Sequence, residues 1–291
     1  MPYPAEQYCA FSHLSRMLER TGTGWDIAVY ETYLDDSGTS AQSEIAIAAC
    51  YVSTESGWRA FVKEWDRARH EEGFDYFHMA EFVAPREQGH KPWCDWDNAK
   101  KERVYNRLAK IINENKRIGI GCALPKAVYN TVPEKIRQHY GNEHYTFAVR
   151  MCLIEIWQWR ERSSISHPIQ YIFDYEKPGT PKHAEITKLM GGMHPTWQSL
   201  FGLDTGGYSF QSKRAFKPLQ AADILAWQVH NYMPKIYPEN ETQQDVKEKL
   251  HPGFAKLRVG QEMTFGFFNP PTMDAWVKRL LDFEAEHGII P

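Results

Sequence analysis

Four acidic sites interrupt or end apolar elements. Asp35 and Asp36 follow the β-like run YETYL, Asp174 closes IQYIFD, and Asp223 sits inside PLQAADILAW. Glu81 lies in DYFHMAEF, three residues after His78. A carboxylate at the C-terminal end of a buried strand stands where open α/β sheets bind ligands. On a helix, Leu219, Ala222, Ala226 and Val229 share one apolar stripe, and Asp223 falls beside that stripe rather than on the solvent side. A lone buried carboxylate is costly unless it is paired, protonated or bound to a metal. Ala221 and Ala222 leave room for something to approach, and Gln220 is placed to hold that carboxylate or a ligand. Each acid taken alone also fits an ordinary turn or structural carboxylate. Together, two strand-end aspartates, a helix aspartate and a glutamate are the parts of an oxygen-ligand site for Mg²⁺ or Mn²⁺. Two such ions about 3.5–4 Å apart activate water on one side of a phosphodiester and stabilise the leaving oxygen on the other. The expected chemistry is metal-dependent phosphodiester hydrolysis.

Strand alternation separates the first two acids, because neighbouring side chains point to opposite faces. Tyr33 and Asp35 share one face and Leu34 and Asp36 the other, so one of the two acids is the expected ligand and its neighbour a supporting or turn-capping acid, with Ser37 and Gly38 bending the chain away so that an ion and a phosphate reach the strand end. His78 supports Glu81 or takes over its role.

The elements that must position these residues follow from periodicity. A helix over 5–20 breaks at Thr21 to Gly24 and leads to the strand IAVYETYL; a polar turn, DSGTSAQS, joins it to EIAIAACYV as a hairpin. Trp58, Phe61, Val62 and Trp65 recur at helical spacing between Glu55 and Glu72, ahead of Gly73. DYFHMAEF is expected to be a short extended segment running into a turn, and PREQGHKPWCDWD a mobile surface loop. Asp97 caps a helix over 98–116, and IGIGCAL follows as a strand in which Gly119 and Gly121 suggest close approach by another backbone. Helices over 125–139 and 142–162, the second amphipathic, precede the strand 169–174. A helix over 181–190, a strand over 207–212, a helix entered at Pro218 and a last helix capped by Thr272 complete the order.

That order implies an α/β fold with a mixed sheet flanked by helices. Its main domain spans 25–236, with helical extensions over 1–24 and 237–291. At 291 residues the chain is long enough for one large core. Its formal charge of −3 excludes a bulk positive field, so any nucleic-acid contact must come from local basic patches. Five scattered cysteines without a CxxC argue against a disulfide framework and against a zinc ribbon. The start MPYPAEQY lacks the basic and apolar regions of a signal peptide, and no apolar run is long enough for a membrane span. A cytoplasmic protein is expected.

Asp-Asp-Ser-Gly after the first strand, a strand-terminal Asp, and Pro-Leu-Gln-x-x-Asp on a late helix together resemble the prokaryotic domain-of-unknown-function family 3800. Its signature is Asp-Glu-Ser-Gly with a late Gln-x-x-Asp. The resemblance covers residues 27 to 234 and implies a ribonuclease-H-like fold, with catalytic acids on the first strand, the fourth strand and the last helix. Carried across, it makes Asp35, Asp174 and Asp223 metal ligands, with Glu81 as a further one. Asp36 stands where the family carries Glu, which keeps the charge and shortens the reach.

Nucleic acid, DNA or RNA, is the expected substrate. Lys177 and Lys182 after Asp174, and Lys213, Arg214 and Lys217 before Asp223, are candidate phosphate contacts, joined by Lys100, Lys101 and Arg103. Two alternatives stay open. A catalytically inactive, ribonuclease-H-like binding or regulatory protein is suggested by tryptophans in exposed-looking segments, KPWCDWD and EIWQWRER. A haloacid-dehalogenase-type phosphatase is suggested by DDSGT, although Ser37 or Gly38 stands where the second acid belongs. No GxSxG elbow or GxxxxGK[ST] loop occurs, which disfavours a serine hydrolase and a P-loop ATPase.

Overall fold

A computed structural model describes residues 30–40, 42–203, 207–236, 252–257 and 262–289. The expected helix over 5–20, the break at Thr21 to Gly24 and the first residues of IAVYETYL lie outside the described residues, as does much of 237–261.

The strands are β1 (Tyr30–Ser37), β2 (Ile45–Thr54), β3 (Ile118–Pro125), β4 (Ile169–Asp174), β5 (Tyr208–Gln211) and β6 (Glu262–Phe267). They form one six-stranded mixed sheet in the order β5-β4-β1-β2-β3-β6. β1 and β2 make the expected antiparallel hairpin, with Tyr33 opposite Tyr51, and β3 runs antiparallel to β2. β4 lies parallel to β1, with β5 parallel to β4, while β6 runs parallel to β3. β1 does not stop at Leu34. Ala48 and Ala49 of β2 pair with Asp36 and Asp35, so the ladder carries both acids and Ser37 as strand residues.

The helices are α1 (Glu55–Glu72), α2 (Met79–Val83), α3 (Asn98–Asn115), α4 (Lys126–Asn130), α5 (Glu134–Tyr140), α6 (His144–Arg162), α7 (Pro181–Gly191), α8 (Pro195–Phe201), α9 (Lys217–Ile236), α10 (Pro252–Lys256) and α11 (Pro270–Glu286). Thr54 Oγ1 accepts from Gly57 N to start α1, and an Asp97 carboxylate oxygen accepts from Lys100 N to start α3. One face of the sheet, carrying Tyr33, Ile47, Ala49 and Tyr51, is covered by α1, α2, α3, α9 and α10. The other, carrying Leu34, Ala48, Cys50 and Val52, is covered by α4 to α8 and α11.

Several expectations need correction. The helix expected over 125–139 is two short helices, broken before Pro133. α6 is not amphipathic: Tyr145 through Ile154 are all buried, because it is sandwiched between the sheet and α7 and α8. The loop PREQGHKPWCDWD is pinned by Trp93 and Trp96, both buried against Phe74. Added β-carbons on Gly119 and Gly121 would strike the side chains of Tyr51, Val229 and Phe265, so the close approach is by side chains and not by backbone. The C-terminal extension is not purely helical, since β6 adds a sheet edge. The cap of α11 is Asn269, with Thr272 completing a reciprocal capping box; Pro270 and Pro271 fit the first helical turn, where a missing N–H costs nothing. Cys50, Cys122 and Cys152 are buried free thiols. Among the described residues no helix is long and apolar enough to cross a membrane.

Candidate active site

β1 and β4 run side by side with Leu34 level with Phe173, so the next residues, Asp35 and Asp174, leave the two strands together. Alternation turns both toward the α9 face, where Asp223 projects from the first half of that helix. The three carboxylates meet at one cation, the ammonium of Lys213 in the turn between β5 and α9. Lys213 Nζ lies 2.7 Å from Asp35 Oδ2, 3.1 Å from Asp174 Oδ2 and 3.2 Å from Asp223 Oδ1. An ammonium has three donors, and each has a carboxylate.

Each acid is also fixed from behind. Asp35 Oδ1 accepts from Asp36 N at 2.9 Å, Asp174 Oδ1 from Lys213 N at 3.1 Å, and Asp223 Oδ2 from Met79 N at 2.7 Å. Burial is the largest influence on Asp35 and pushes its carboxyl well above the usual carboxylate range; the Lys213 charge pulls back, while Asp223, Asp36 and Asp174 push further up. Burial also works against the charge of Lys213, but Asp35, Asp223 and Asp174 outweigh it and hold the ammonium more firmly protonated than an ordinary lysine.

Glu81 reaches this centre only through His78. His78 Nδ1 is 3.3 Å from Glu81 Oε1, and His78 Nε2 is 3.6 Å from Asp223 Oδ1. Both residues sit at α2, whose start is held by the Met79–Asp223 hydrogen bond; the chain is extended up to His78, and a short helix stands where a turn is expected.

Gln220 does not hold Asp223 as expected. Its Oε1 accepts from Trp65 Nε1 and Phe77 N, both at 3.1 Å, and its Nε2 donates to Lys213 O at 2.7 Å. One buried carboxamide thus ties α1, the approach to α2 and the Lys213 turn to α9. The Lys213 backbone is anchored at its carbonyl by Gln220 and at its amide by Asp174.

Asp36 points to the other face of the sheet. Its Oδ1 lies 2.6 Å from Lys182 Nζ, which also pairs with Glu176 at 3.0 Å, and its Oδ2 accepts from Thr39. Burial opposes the charge of Lys182, yet Asp36 and Glu176 hold its pKa above the usual lysine value. Ser37 Oγ is 2.8 Å from His230 Nδ1, which fastens the end of β1 to α9. Gly38 follows at φ +68°, and a β-carbon there would lie 2.1 Å from Ile45 O, so only glycine makes this turn.

The basic residues divide. Lys213 is inside the centre, Arg214 is exposed and stacks over Tyr76 at 4.5 Å, and Lys177 is exposed after β4. Lys217 departs from its expected role: it is buried, with Nζ 4.0 Å from Asp66 of α1. Arg103 pairs with Glu72, and Lys100 lies over Trp96.

Two tyrosines near the strand-end acids, one on each face of the sheet, carry no sequence signal. The Tyr76 hydroxyl is pushed up to about 12 by burial, with Lys213, Asp223 and Glu81 as its charged neighbours. The Tyr145 ring lies 4.7 Å from Lys182 Nζ, and burial, then Asp36 and Asp35, push its hydroxyl far above its ordinary value. Tyr76 lies between elements and Tyr145 within a uniformly buried helix, so neither stands out by spacing.

Among the described residues, no group of three or more His, Cys, Asp and Glu side chains is assembled at metal-ligand spacing; the three aspartates are arranged around an ammonium. The donor set is nevertheless hard, anionic and oxygen-only, the kind that suits Mg²⁺ or Mn²⁺. No family model and no curated protein matches the chain.

Proposed function

We propose that the protein is a nuclease that hydrolyses phosphodiester bonds of DNA or RNA, with Mg²⁺ or Mn²⁺ held by Asp35, Asp174, Asp223 and Glu81. The observation that carries this is the meeting of three carboxylates, from β1, β4 and α9, at one cation. Their placement on a first strand, a fourth strand and a late helix agrees with the resemblance to family 3800. A first strand paired antiparallel to β2 and parallel to β4 supports a ribonuclease-H-like fold.

Two bound ions would supply an activated water and stabilise the leaving oxygen. The residues around them have separate tasks. The three aspartates present the charge, and Gln220 keeps the Lys213 turn in register with α9. An ammonium and a divalent ion would compete for the same oxygens, so with the aspartates holding metal the Lys213 arm would be free to meet a phosphate oxygen. Lys182 is committed to Asp36 and Glu176, which leaves Arg214 and Lys177 as the exposed cations for the substrate backbone.

A non-catalytic role has one observation in its favour: Lys213 spends all three donors on the carboxylates, as a permanent internal counter-ion would. The exposed-tryptophan argument for that role weakens, because Trp93, Trp96 and Trp159 are buried and Trp157 is partly buried against Trp197 and Phe283. A haloacid-dehalogenase-type phosphatase is disfavoured because Ser37, in the place of the second acid, is engaged by His230.

Incubation of the purified protein with labelled single- and double-stranded DNA and RNA in Mg²⁺ or Mn²⁺ tests the proposal. Cleavage is expected, and it is expected to disappear with Asp174→Asn. Full activity in excess chelator or in that variant overturns it.

A further inference from the structure

A cavity of about 230 Å³ lies on the opposite face of the sheet from the Lys213 centre, lined by α5, α6, α7, α8 and α11. Its polar lining is unevenly satisfied. The two acids are fully engaged: Glu284 accepts from His139 Nε2 at 2.8 Å and from Tyr140 Oη and Trp197 Nε1 at 3.0 Å. Glu185 accepts from the backbone N–H groups of Asn142 and Glu143 at 3.1 and 2.7 Å.

The donors are not engaged to the same degree. Arg150 is 8% exposed; its Nε donates to Tyr140 O at 3.3 Å, and its guanidinium lies over the Tyr140 ring at 5.1 Å. Among the described residues no acceptor meets its two terminal nitrogens. Thr146, one helical turn earlier and 1% exposed, has a buried hydroxyl without a hydrogen-bond partner. Lys188 of α7 borders the same space and makes no ion pair among the described residues. A guanidinium stays charged at any physiological pH; the Glu284 carboxylate nearby favours that charge, but its oxygens are taken by His139, Tyr140 and Trp197, so the terminal donors of Arg150 are left for another acceptor.

We propose that this cavity binds the phosphate group of a small phosphorylated molecule, with Arg150, Thr146 and Lys188 as its donors. A guanidinium edge, a hydroxyl and an ammonium together offer more hydrogen bonds than a planar carboxylate can accept, and they suit the several oxygens of a tetrahedral phosphate. The volume exceeds that of free phosphate, given about 30 Å³ of liquid per water molecule, so room remains for a small organic moiety. The site is independent of hydrolysis at the Lys213 centre.

The test is thermal unfolding of the full chain in inorganic phosphate, in acetate and in chloride at matched ionic strength. Phosphate at about ten times its dissociation constant is expected to raise Tm by roughly 2–4 °C, with no such rise in acetate. Arg150→Met is expected to abolish the response. If that variant fails to fold, Lys188→Ala at the exposed rim decides, with an expected loss of at least about fivefold in phosphate affinity by calorimetry. No phosphate response in wild type, an equal response in Lys188→Ala, or acetate as effective as phosphate overturns the proposal.

Discussion

Asp35 Oδ2 lies 2.7 Å from Lys213 Nζ, whereas Asp36 Oδ1, one residue along the same strand, lies 2.6 Å from Lys182 Nζ on the opposite side of the sheet. Two adjacent carboxylates thus serve two layers. Their substitutions should separate accordingly.

Asp35→Asn, Asp174→Asn and Asp223→Asn are each expected to lower cleavage by about 10²-fold or more, the scale on which charge placed at a reacting centre acts. Asp36→Asn, acting through the Lys182 layer, should cost about 10- to 100-fold at most. Single-turnover assays on one oligonucleotide compare all four. Equal losses at Asp35 and Asp36 would contradict the division between the two faces.

Lys213→Met leaves three carboxylates facing one another without their cation. Breaking a buried pair costs about 3–5 kcal/mol, and the partial exposure of Asp174 holds the loss near the lower end. Urea unfolding in chelator should show this loss, and millimolar Mn²⁺ should restore most of it. Indifference of both wild type and variant to Mn²⁺ would favour the non-catalytic role.

Glu284 couples stability to pH. Burial pushes its carboxyl up, but the donors His139, Trp197 and Tyr140 more than reverse that and hold it below the usual glutamate value. A depressed carboxyl contributes stability that is present above its unfolded pKa of about 4.5 and lost as pH falls through the lower folded value. Asp35 works in the opposite sense: its raised carboxyl favours the fold most below its unfolded value, and that contribution is lost as pH rises. The measurement is therefore the difference between wild type and Glu284→Gln in urea midpoint from pH 3 to 7. That difference should shrink toward the acid end.

Gln220→Ala removes the partner of Trp65 Nε1, Phe77 N and Lys213 O at once. Buried polar groups left unsatisfied cost about 1–3 kcal/mol each, so a loss of several kcal/mol is expected in chemical denaturation. Mn²⁺ should restore less of this loss than it does for Lys213→Met, because the backbone of the turn is released as well. Full recovery in Mn²⁺ would show that the carboxamide does not position the centre.

Much of this organisation was legible in the residues. The hairpin, α1 and α3 follow from alternation, from the Trp58–Phe61–Trp65 spacing and from the Asp97 cap. Asp35, Asp174 and Asp223 stand out because an acid at a strand end or beside an apolar stripe breaks a pattern. Lys213 breaks none, since it lies in a turn without period, and its central role is set by three elements far apart in the chain. α2 is too short for a periodic signal and is started by the Met79–Asp223 hydrogen bond. β6 is defined by pairing with β3 rather than by its own composition. The start of α11 was misplaced for a different reason: Pro270 and Pro271 belong inside a helical first turn, as Pro218 does in α9, and that moves the cap from Thr272 to Asn269.

β1 is hydrogen-bonded along both edges, to β2 and to β4. Its amides are therefore expected to exchange with deuterium only when the whole molecule unfolds, while the Lys213 turn, held mainly by Gln220 and Asp174, opens in a separate and cheaper event. The centre joins a permanent wall to a door. Asp35 keeps its place through every local fluctuation, and exchange of the cation in front of it proceeds on the timescale of the turn.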